Sequence, residues 1–214
     1  MLKNYTHISI VLDQSGSMNS IKQATMEGFN SFVLANNELP GITTHLLTLF
    51  NQDVEVGDLQ TLKIQQLNDA NYHPSSTTSL YDAIGKTINK TGLVLGNLPE
   101  DGRPDKVMFL IVTDGQENSS REFNQDQIFK MIKLQREQYS WEFVFMGANQ
   151  DCYAVSDALY IPRGSTLNYG YNNRQAKQAW AGMTVNTMSY HTGDSNNMNF
   201  TDAQIKEQDG ASQS

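Results

Sequence analysis

The sequence predicts one α/β domain with a doubly wound, mostly parallel six-stranded sheet, helices on both faces and one antiparallel edge strand. Short apolar runs that end in polar loops recur along the chain, for example at residues 8–12 and 109–112. Segments with apolar residues at helical spacing separate these runs, which is typical of parallel βαβ units. The chain has 214 residues, of which 38% are hydrophobic, and this is enough for a sizeable core.

Six strands are predicted from runs of apolar and β-branched residues. Two of them are expected to be buried on both faces, because apolar side chains follow one another without alternation. A short polar turn joins the second and third strands, which predicts an antiparallel hairpin at the sheet edge. In chain order the strands are 6–12, 43–50, 54–59, 106–112, 141–146 and an extended piece near 165–169.

Five helices are predicted between and after the strands. Asn19 or Ser20 is suited to cap the first, and the second begins just after Thr78. In chain order the helices are 20–36, a helix from about 79 that fades near 92–96, 124–138, 151–159 and 173–189.

The end of the chain is polar. We predict a domain over residues 1–190 and a polar tail over 191–214, because Asn, Ser, Gln and Asp cannot bury enough apolar surface to order a segment. The alternative is one capped helical turn that Phe200 and Ile205 anchor on the body.

Charge and cysteine content restrict the class of partner and the compartment. Lys and Arg number 15 against 23 Asp and Glu, and the net charge of -8 disfavours nucleic acid. The single cysteine, Cys152, forms no internal disulfide, and the chain starts without a leader-like segment, which predicts a cytoplasmic protein. A virion or other particle assembled there fits equally. The apolar runs are too short to span a bilayer.

The loop after the first strand carries the pattern D-x-S-x-S. Asp13, Ser15 and Ser17 alternate with Gln14 and Gly16, which directs three oxygen side chains to one side of an extended loop. Oxygen ligands select a hard cation such as Mg2+ or Mn2+. Taken alone, the loop is equally well explained as a helix-capping turn, because Ser and Asp are common caps.

This loop resembles the metal-ion-dependent adhesion site of von Willebrand factor A-type domains, and two further segments match that family. Thr78, in SSTTSLYDAI, stands at the family's threonine loop. Asp114, in FLIVTDGQEN, stands at its strand-end aspartate. The resemblance covers about residues 6–190, implies a Rossmann-like fold and points to the cytoplasmic members of the family in prokaryotes or phages.

The resemblance also implies the roles of five residues. Ser15, Ser17 and Thr78 are expected as direct metal ligands, and Asp13 and Asp114 as direct or water-mediated ones. These five groups fall short of the roughly six oxygens that Mg2+ takes. The predicted function is therefore a non-enzymatic, metal-dependent protein-binding module, in which an exposed Asp or Glu of a partner completes the coordination. The sequence leaves the oligomeric state open.

The threonine loop departs from the family's commonest form. Ser76, Thr77 and Ser79 stand where Gly, Gly and Pro are frequent, which raises a choice between Thr77 and Thr78. The spacing to LYDAI favours Thr78.

Other candidate residues carry weaker signals. The four histidines lie in four separate segments, which favours surface or core roles over a zinc site. The histidines are His7, His45, His73 and His191. Cys152 is better explained as a structural thiol than as a nucleophile. Polar residues just past two strand ends are candidates for the rim of the site, or else solvated loop residues: Glu117, Asn118, Asn149, Gln150 and Asp151.

Two other classes of function compete with the binding module. A metal-dependent phosphohydrolase of the aspartyl type needs a second Asp at the position of Ser15, and a serine hydrolase needs G-x-S-x-G where this chain has Q-S-G-S-M. Neither motif is complete. The remaining alternative is a structural or assembly component of a larger particle or of an ATPase-linked complex.

Overall fold

The computed structural model describes residues 1–60, 64–148 and 152–210. Within these residues the strands are Leu2–Asp13 (β1), Ile42–Phe50 (β2), Val54–Val56 (β3), Pro104–Thr113 (β4), Glu142–Gly147 (β5) and Thr166–Asn168 (β6). The α-helices are Lys22–Asn37 (α1), Leu80–Gly96 (α2), Gln125–Tyr139 (α3), Cys152–Ala158 (α4), Asn173–Thr192 (α5) and Asp202–Gly210 (α6).

The strands form one sheet in the order β3-β2-β1-β4-β5-β6. All neighbouring strands are parallel except β3, which pairs antiparallel with β2 at the edge. The predicted doubly wound sheet with an antiparallel edge strand is thus confirmed. The chain leaves β1 toward β2 and later returns to β4 on its other side, so the strand order reverses at β1. In such sheets a crevice opens beyond the carboxyl ends of the strands at this point.

Apolar side chains cover both faces of the sheet. On one face, Ile8, Ile10 and Leu12 of β1 belong to a core that includes residues of α1 and α5. A methyl group at Gly28 would lie 2.4 Å from the Trp180 ring, so these two helices pack closely because position 28 has no side chain. On the other face, the apolar residues of α2 and α3 form a second core. The sheet is therefore buried on both sides and holds its strand ends rigidly.

The predicted boundaries differ from the structure mainly at element ends. β1 begins at Leu2 rather than at residue 6, because Leu2 pairs with Pro104 after a shift of register. A 3-10 helix over Gly16–Ile21 precedes α1. Helix α5 continues to Thr192, beyond the predicted residue 189, and ends at Gly193 in the left-handed conformation (φ 86°).

The segment after α5 differs from the expected unordered tail. Met198 and Phe200 are buried, and Ile205 of α6 packs on the first core. Thr201 caps α6, because its hydroxyl accepts from the Gln204 N–H (3.2 Å) and its own N–H donates to Gln204 Oε1 (2.7 Å). The alternative of an anchored, capped helix is the one observed for the described residues. The division of the chain at residue 190 remains a prediction.

Among the helices described, none combines the length and the apolar content that crossing a membrane requires.

Candidate metal centre

Asp13 and Thr113 end two adjacent parallel strands. The pairing of Leu12 with Val112 brings the two ends side by side, and the Thr113 hydroxyl donates to Asp13 Oδ2 at 2.6 Å. The other carboxylate oxygen of Asp13 accepts from the Ser15 N–H at 2.6 Å. The Asp13 side chain is fully buried, and both of its oxygens are engaged in shaping the loop that follows.

Burial controls the ionisation of Asp13. Removal of the carboxylate from water raises the pKa of Asp13 to about 6, and the hydrogen bonds from Thr113 and Ser15 oppose this shift. The nearby charge of Asp114 raises the pKa slightly further. A site that concentrates two carboxylates in this way gains stability from a bound cation.

The hydroxyls of Ser15 and Ser17 point to the same place as Asp114. Their Oγ atoms lie 3.1 Å apart, and Ser17 Oγ donates to Asp114 Oδ1 at 2.6 Å. The other oxygen, Asp114 Oδ2, is buried and has no hydrogen-bond partner among the described residues. Burial also raises the pKa of Asp114. A buried carboxylate oxygen without a donor is costly, so this atom needs a cation or a donor beyond those that residues 1–60, 64–148 and 152–210 provide.

Thr78 reaches the site from the loop before α2, and Asn118 holds it there. The Thr78 N–H donates to Asn118 Oδ1 (2.9 Å), and the Asn118 N–H donates to the Thr78 carbonyl (3.0 Å). Thr78 is buried, whereas the neighbouring Thr77 is exposed. The structure thus brings Thr78 to the loop of Ser15 and Ser17.

Gly115 shows that the three hydroxyls surround one point. A methyl group added to Gly115 would lie 2.9 Å from Thr78 Oγ1, 3.5 Å from Ser17 Oγ and 3.6 Å from Ser15 Oγ. The space beside Asp114 is therefore bounded by hydroxyl oxygens and is kept open by the absence of a side chain at position 115.

The donor set fits a hard divalent cation. Three hydroxyl oxygens converge beside the Asp114 carboxylate, and oxygen donors of this kind suit Mg2+ or Mn2+. Within the described ranges there is no group of three or more His, Cys, Asp or Glu side chains that could hold a metal ion. The site is thus built mainly from neutral oxygens and carries few negative charges.

The site opens into a cleft of about 480 Å3. Asn118 and Tyr171 line it, and the Tyr171 hydroxyl donates to the Asp114 carbonyl at 2.6 Å. At the end of β1, the Tyr72 hydroxyl donates to the Asp13 carbonyl, also at 2.6 Å. Both strand ends are therefore fixed by tyrosines from distant loops. No local motif marks either tyrosine, so the sequence alone does not predict their roles.

Glu117 has a structural role rather than a solvated one. Its carboxylate accepts from the N–H groups of Ser119 and Ser120 and from the Tyr81 N–H in the first turn of α2. In return, Asp82 of α2 accepts from three N–H groups of residues 121–123. These bonds join the loops that carry Asp114 and Thr78. The other predicted rim residues, at 149–151, lie outside the described residues.

The histidines and the cysteine occupy other parts of the chain. His7 is fully buried between the hydroxyls of Thr44 (2.9 Å) and Ser9 (3.0 Å). His191 bonds to Thr6 and to the Pro40 carbonyl. His45 and Cys152 are also buried, and His73 is exposed. None of these side chains lines the cleft.

No protein-family model matches the sequence, and a search of curated proteins finds no match. Solved structures do match the fold. The von Willebrand factor type A protein from Catenulispora acidiphila superposes with a TM-score of 0.56 and 16% identity, over 88% of this chain and 43% of that one. Proximal thread matrix protein 1 from the mussel byssus, with a zinc-occupied MIDAS motif, gives a TM-score of 0.60 and 15% identity, over 88% and 47%.

A third match is the manganese-loaded TRAP protein of Plasmodium vivax, with a TM-score of 0.54 and 16% identity over 83% of this chain and 73% of that one. The present chain spans less than half the length of the Catenulispora and mussel proteins. At identities this low, the structural matches establish the fold and nothing finer. Together with the strand order and the placement of the five motif residues, these matches show that this chain has the fold of a von Willebrand factor A domain.

Proposed function

We propose that this chain is a metal-dependent protein-binding module. A Mg2+ or Mn2+ ion is held beside Asp114, and an Asp or Glu side chain of a partner protein completes its coordination. The observation that carries this proposal is the convergence of three hydroxyls beside Asp114, whose buried Oδ2 has no hydrogen-bond partner among the described residues.

The five motif residues divide into two groups in this proposal. Ser15, Ser17 and Thr78 are direct ligands, since their hydroxyls face the open space beside Gly115. Asp114 contributes its free oxygen, directly or through water. Asp13 acts through water and through the loop it shapes, because both of its oxygens already accept hydrogen bonds.

The charge balance supports an acidic ligand from outside. Because Asp13 acts through water, at most the Asp114 carboxylate contacts the ion directly, and the hydroxyls add no charge. The ion therefore keeps a net positive charge and attracts a further carboxylate. The cleft leaves room for one, since its volume is about 480 Å3.

The structural neighbours support the choice of a divalent cation. The mussel protein has zinc in its MIDAS motif, and the Plasmodium protein is loaded with manganese. For this chain we propose Mg2+ or Mn2+, since hard ions prefer all-oxygen ligands whereas zinc favours nitrogen and sulfur.

The chain is proposed to bind without turning over a substrate. A serine nucleophile needs an adjacent base, and Ser17 instead donates to a carboxylate in a cleft whose described lining contains no histidine. Consistent with the net charge of -8, we propose no direct contact with nucleic acid. A single buried cysteine fits work in the cytoplasm, or in a particle assembled there.

A pull-down from a lysate of the source cells tests the proposal. Wild type, D13A and D114N are compared with D101A, which removes a carboxylate next to the start of β4, at the opposite end of the sheet. We expect a partner that is retained by wild type and D101A in Mg2+ and is lost with EDTA, in D13A and in D114N. A partner that survives chelation would instead indicate a metal-free scaffold.

A further inference from the structure

Tyr171 presents an aromatic ring at the mouth of the cleft. Its side chain is 50% exposed, whereas Asp114 beside it is buried. Its hydroxyl is fixed by the 2.6 Å hydrogen bond to the Asp114 carbonyl. The ring thus stands next to the candidate metal centre at a defined position, with half of its surface free.

The backbone around Tyr171 is also fixed. Asn172 caps α5 by accepting from the Gln175 N–H at 2.9 Å, and its own N–H donates to the Gly170 carbonyl at 2.8 Å. Tyr169 is buried, and its N–H donates to the Gly147 carbonyl at 2.9 Å. The ring is therefore held at both ends and loses little conformational entropy when a ligand covers it.

The rest of the described cleft lining is polar and, apart from Asp114, uncharged. It consists of Ser15, Ser17, Ser76, Thr77, Thr78, Gly115, Gln116 and Asn118. Tyr171 supplies the single large apolar surface among these residues. Apart from Asp114, no side chain of the described lining carries a charge that could pair with a second charged group of a ligand.

We propose that Tyr171 is a specificity-determining residue, whose ring receives an apolar side chain next to the partner's acidic residue. This inference rests on the proposed function. A second anion beside the acidic residue would find no cation in the described lining, and a cation there would face the divalent ion. An apolar side chain meets neither penalty, and rigid aromatic rings are frequent centres of binding energy.

A randomised peptide library with a fixed central Asp provides the test. Immobilised wild type, Y171F, Y171S and the control Y139S, which alters an exposed tyrosine of α3, are panned in Mn2+ and in EDTA. The readout is the enrichment of apolar over polar residues beside the Asp, compared within each variant so that differences in Mn2+ affinity cancel. We expect an enrichment of about ten-fold in wild type and Y139S, since burying one apolar side chain contributes roughly 1.5 kcal/mol or more.

The enrichment should persist in Y171F, which keeps the ring, and disappear in Y171S. An enrichment that is unchanged in Y171S, or a wild-type preference for Lys, Arg, Asp or Glu beside the Asp, would overturn the role of Tyr171 and leave the proposed function standing. If wild type captures no peptide in a Mn2+-dependent way, the proposed function itself fails.

Discussion

Asn118 binds the backbone of Thr78 on both sides, accepting from its N–H at 2.9 Å and donating to its carbonyl at 3.0 Å. The two residues are 40 positions apart and belong to different loops. Thr78 offers a single hydroxyl to the cleft, so the position of that hydroxyl depends on this pair of bonds. Asn118 is thus a positioning residue for the candidate metal centre.

Replacing Asn118 by alanine tests this dependence. We expect the Mn2+ affinity of N118A to fall about ten-fold or more, as is common when a residue that orients a metal ligand is removed. Titration followed by the electron paramagnetic resonance of free Mn2+ measures it. The exposed Asn89 on α2 provides the control, and N89A should bind as wild type does. Equal affinities of N118A and wild type would show that Thr78 needs no such support.

Replacing Asp114 by asparagine separates metal binding from folding. Without metal at pH 7, D114N should be at least as stable as wild type, because the change removes a buried charge whose Oδ2 has no partner in the described part of the chain. Mg2+ at about 100 times its Kd should stabilise wild type by roughly 2.7 kcal/mol. This increment should be absent in D114N and present in D101N, as measured by thermal unfolding. A full increment in D114N would place the ion elsewhere.

A methyl group at Gly115 should obstruct the site. It would lie 2.9 Å from Thr78 Oγ1, closer than such contacts normally allow, and would enter the space between the three hydroxyls. We expect G115A to fold and to lose most of its Mn2+ affinity, measured by isothermal titration calorimetry.

Gly92 on α2 supplies the matched control for this change. A methyl group there has nothing within 4 Å, so G92A should leave Mn2+ binding intact. It should also stabilise the helix by about 0.5–1 kcal/mol, since glycine is a poor residue for helix interiors. Undiminished binding in G115A would contradict the proposed location of the ion.

Two buried histidines should make the protein sensitive to acid. Burial lowers the pKa of His7 to about 3 and that of His45 to about 4, with the charge of His45 adding to the shift of His7. Both are neutral when folded, and both take up a proton in the unfolded chain below pH 6.5. The unfolded state thus binds more protons between about pH 6.5 and 4, and the free energy of unfolding must fall as the pH falls.

The contribution of His7 is obtained by comparing slopes. Below pH 6 each histidine contributes about 1.4 kcal/mol per pH unit. H7Q should therefore show a slope of unfolding free energy against pH that is smaller by about this amount, whatever its absolute stability. Urea unfolding at several pH values measures it, and N89A, at an exposed position without a titratable group, should keep the wild-type slope. A wild-type slope in H7Q would mean that His7 is protonated in the folded protein.

Local pattern was sufficient to predict the sheet and the first part of the site. Alternation of buried runs with amphipathic segments is a property of neighbouring residues. The positions of the strands along the chain and their mostly parallel pairing therefore follow from it. Asp13, Ser15 and Ser17 lie within five consecutive residues, so their proximity is a local property, although Ser17 lies in the 3-10 helix over Gly16–Ile21 and not in the expected extended loop. The placement of Asp114 beside Asp13 follows from the rule that ligands meet at the switch point of an open sheet.

Long-range contacts decided the rest, because their partners are far apart in the chain and carry no local signal. The pairing of Asn118 with Thr78 and the bonds of Tyr72 and Tyr171 to the two strand-end carbonyls belong to this class. Helix α6 is another case. Its polar sequence suggested an unordered tail, yet Gln204 bonds to the Gly182 carbonyl and to Asn186 on α5, and these bonds supplement the few apolar contacts. Composition measures how much apolar surface a segment offers, whereas only the folded chain shows which polar groups find partners.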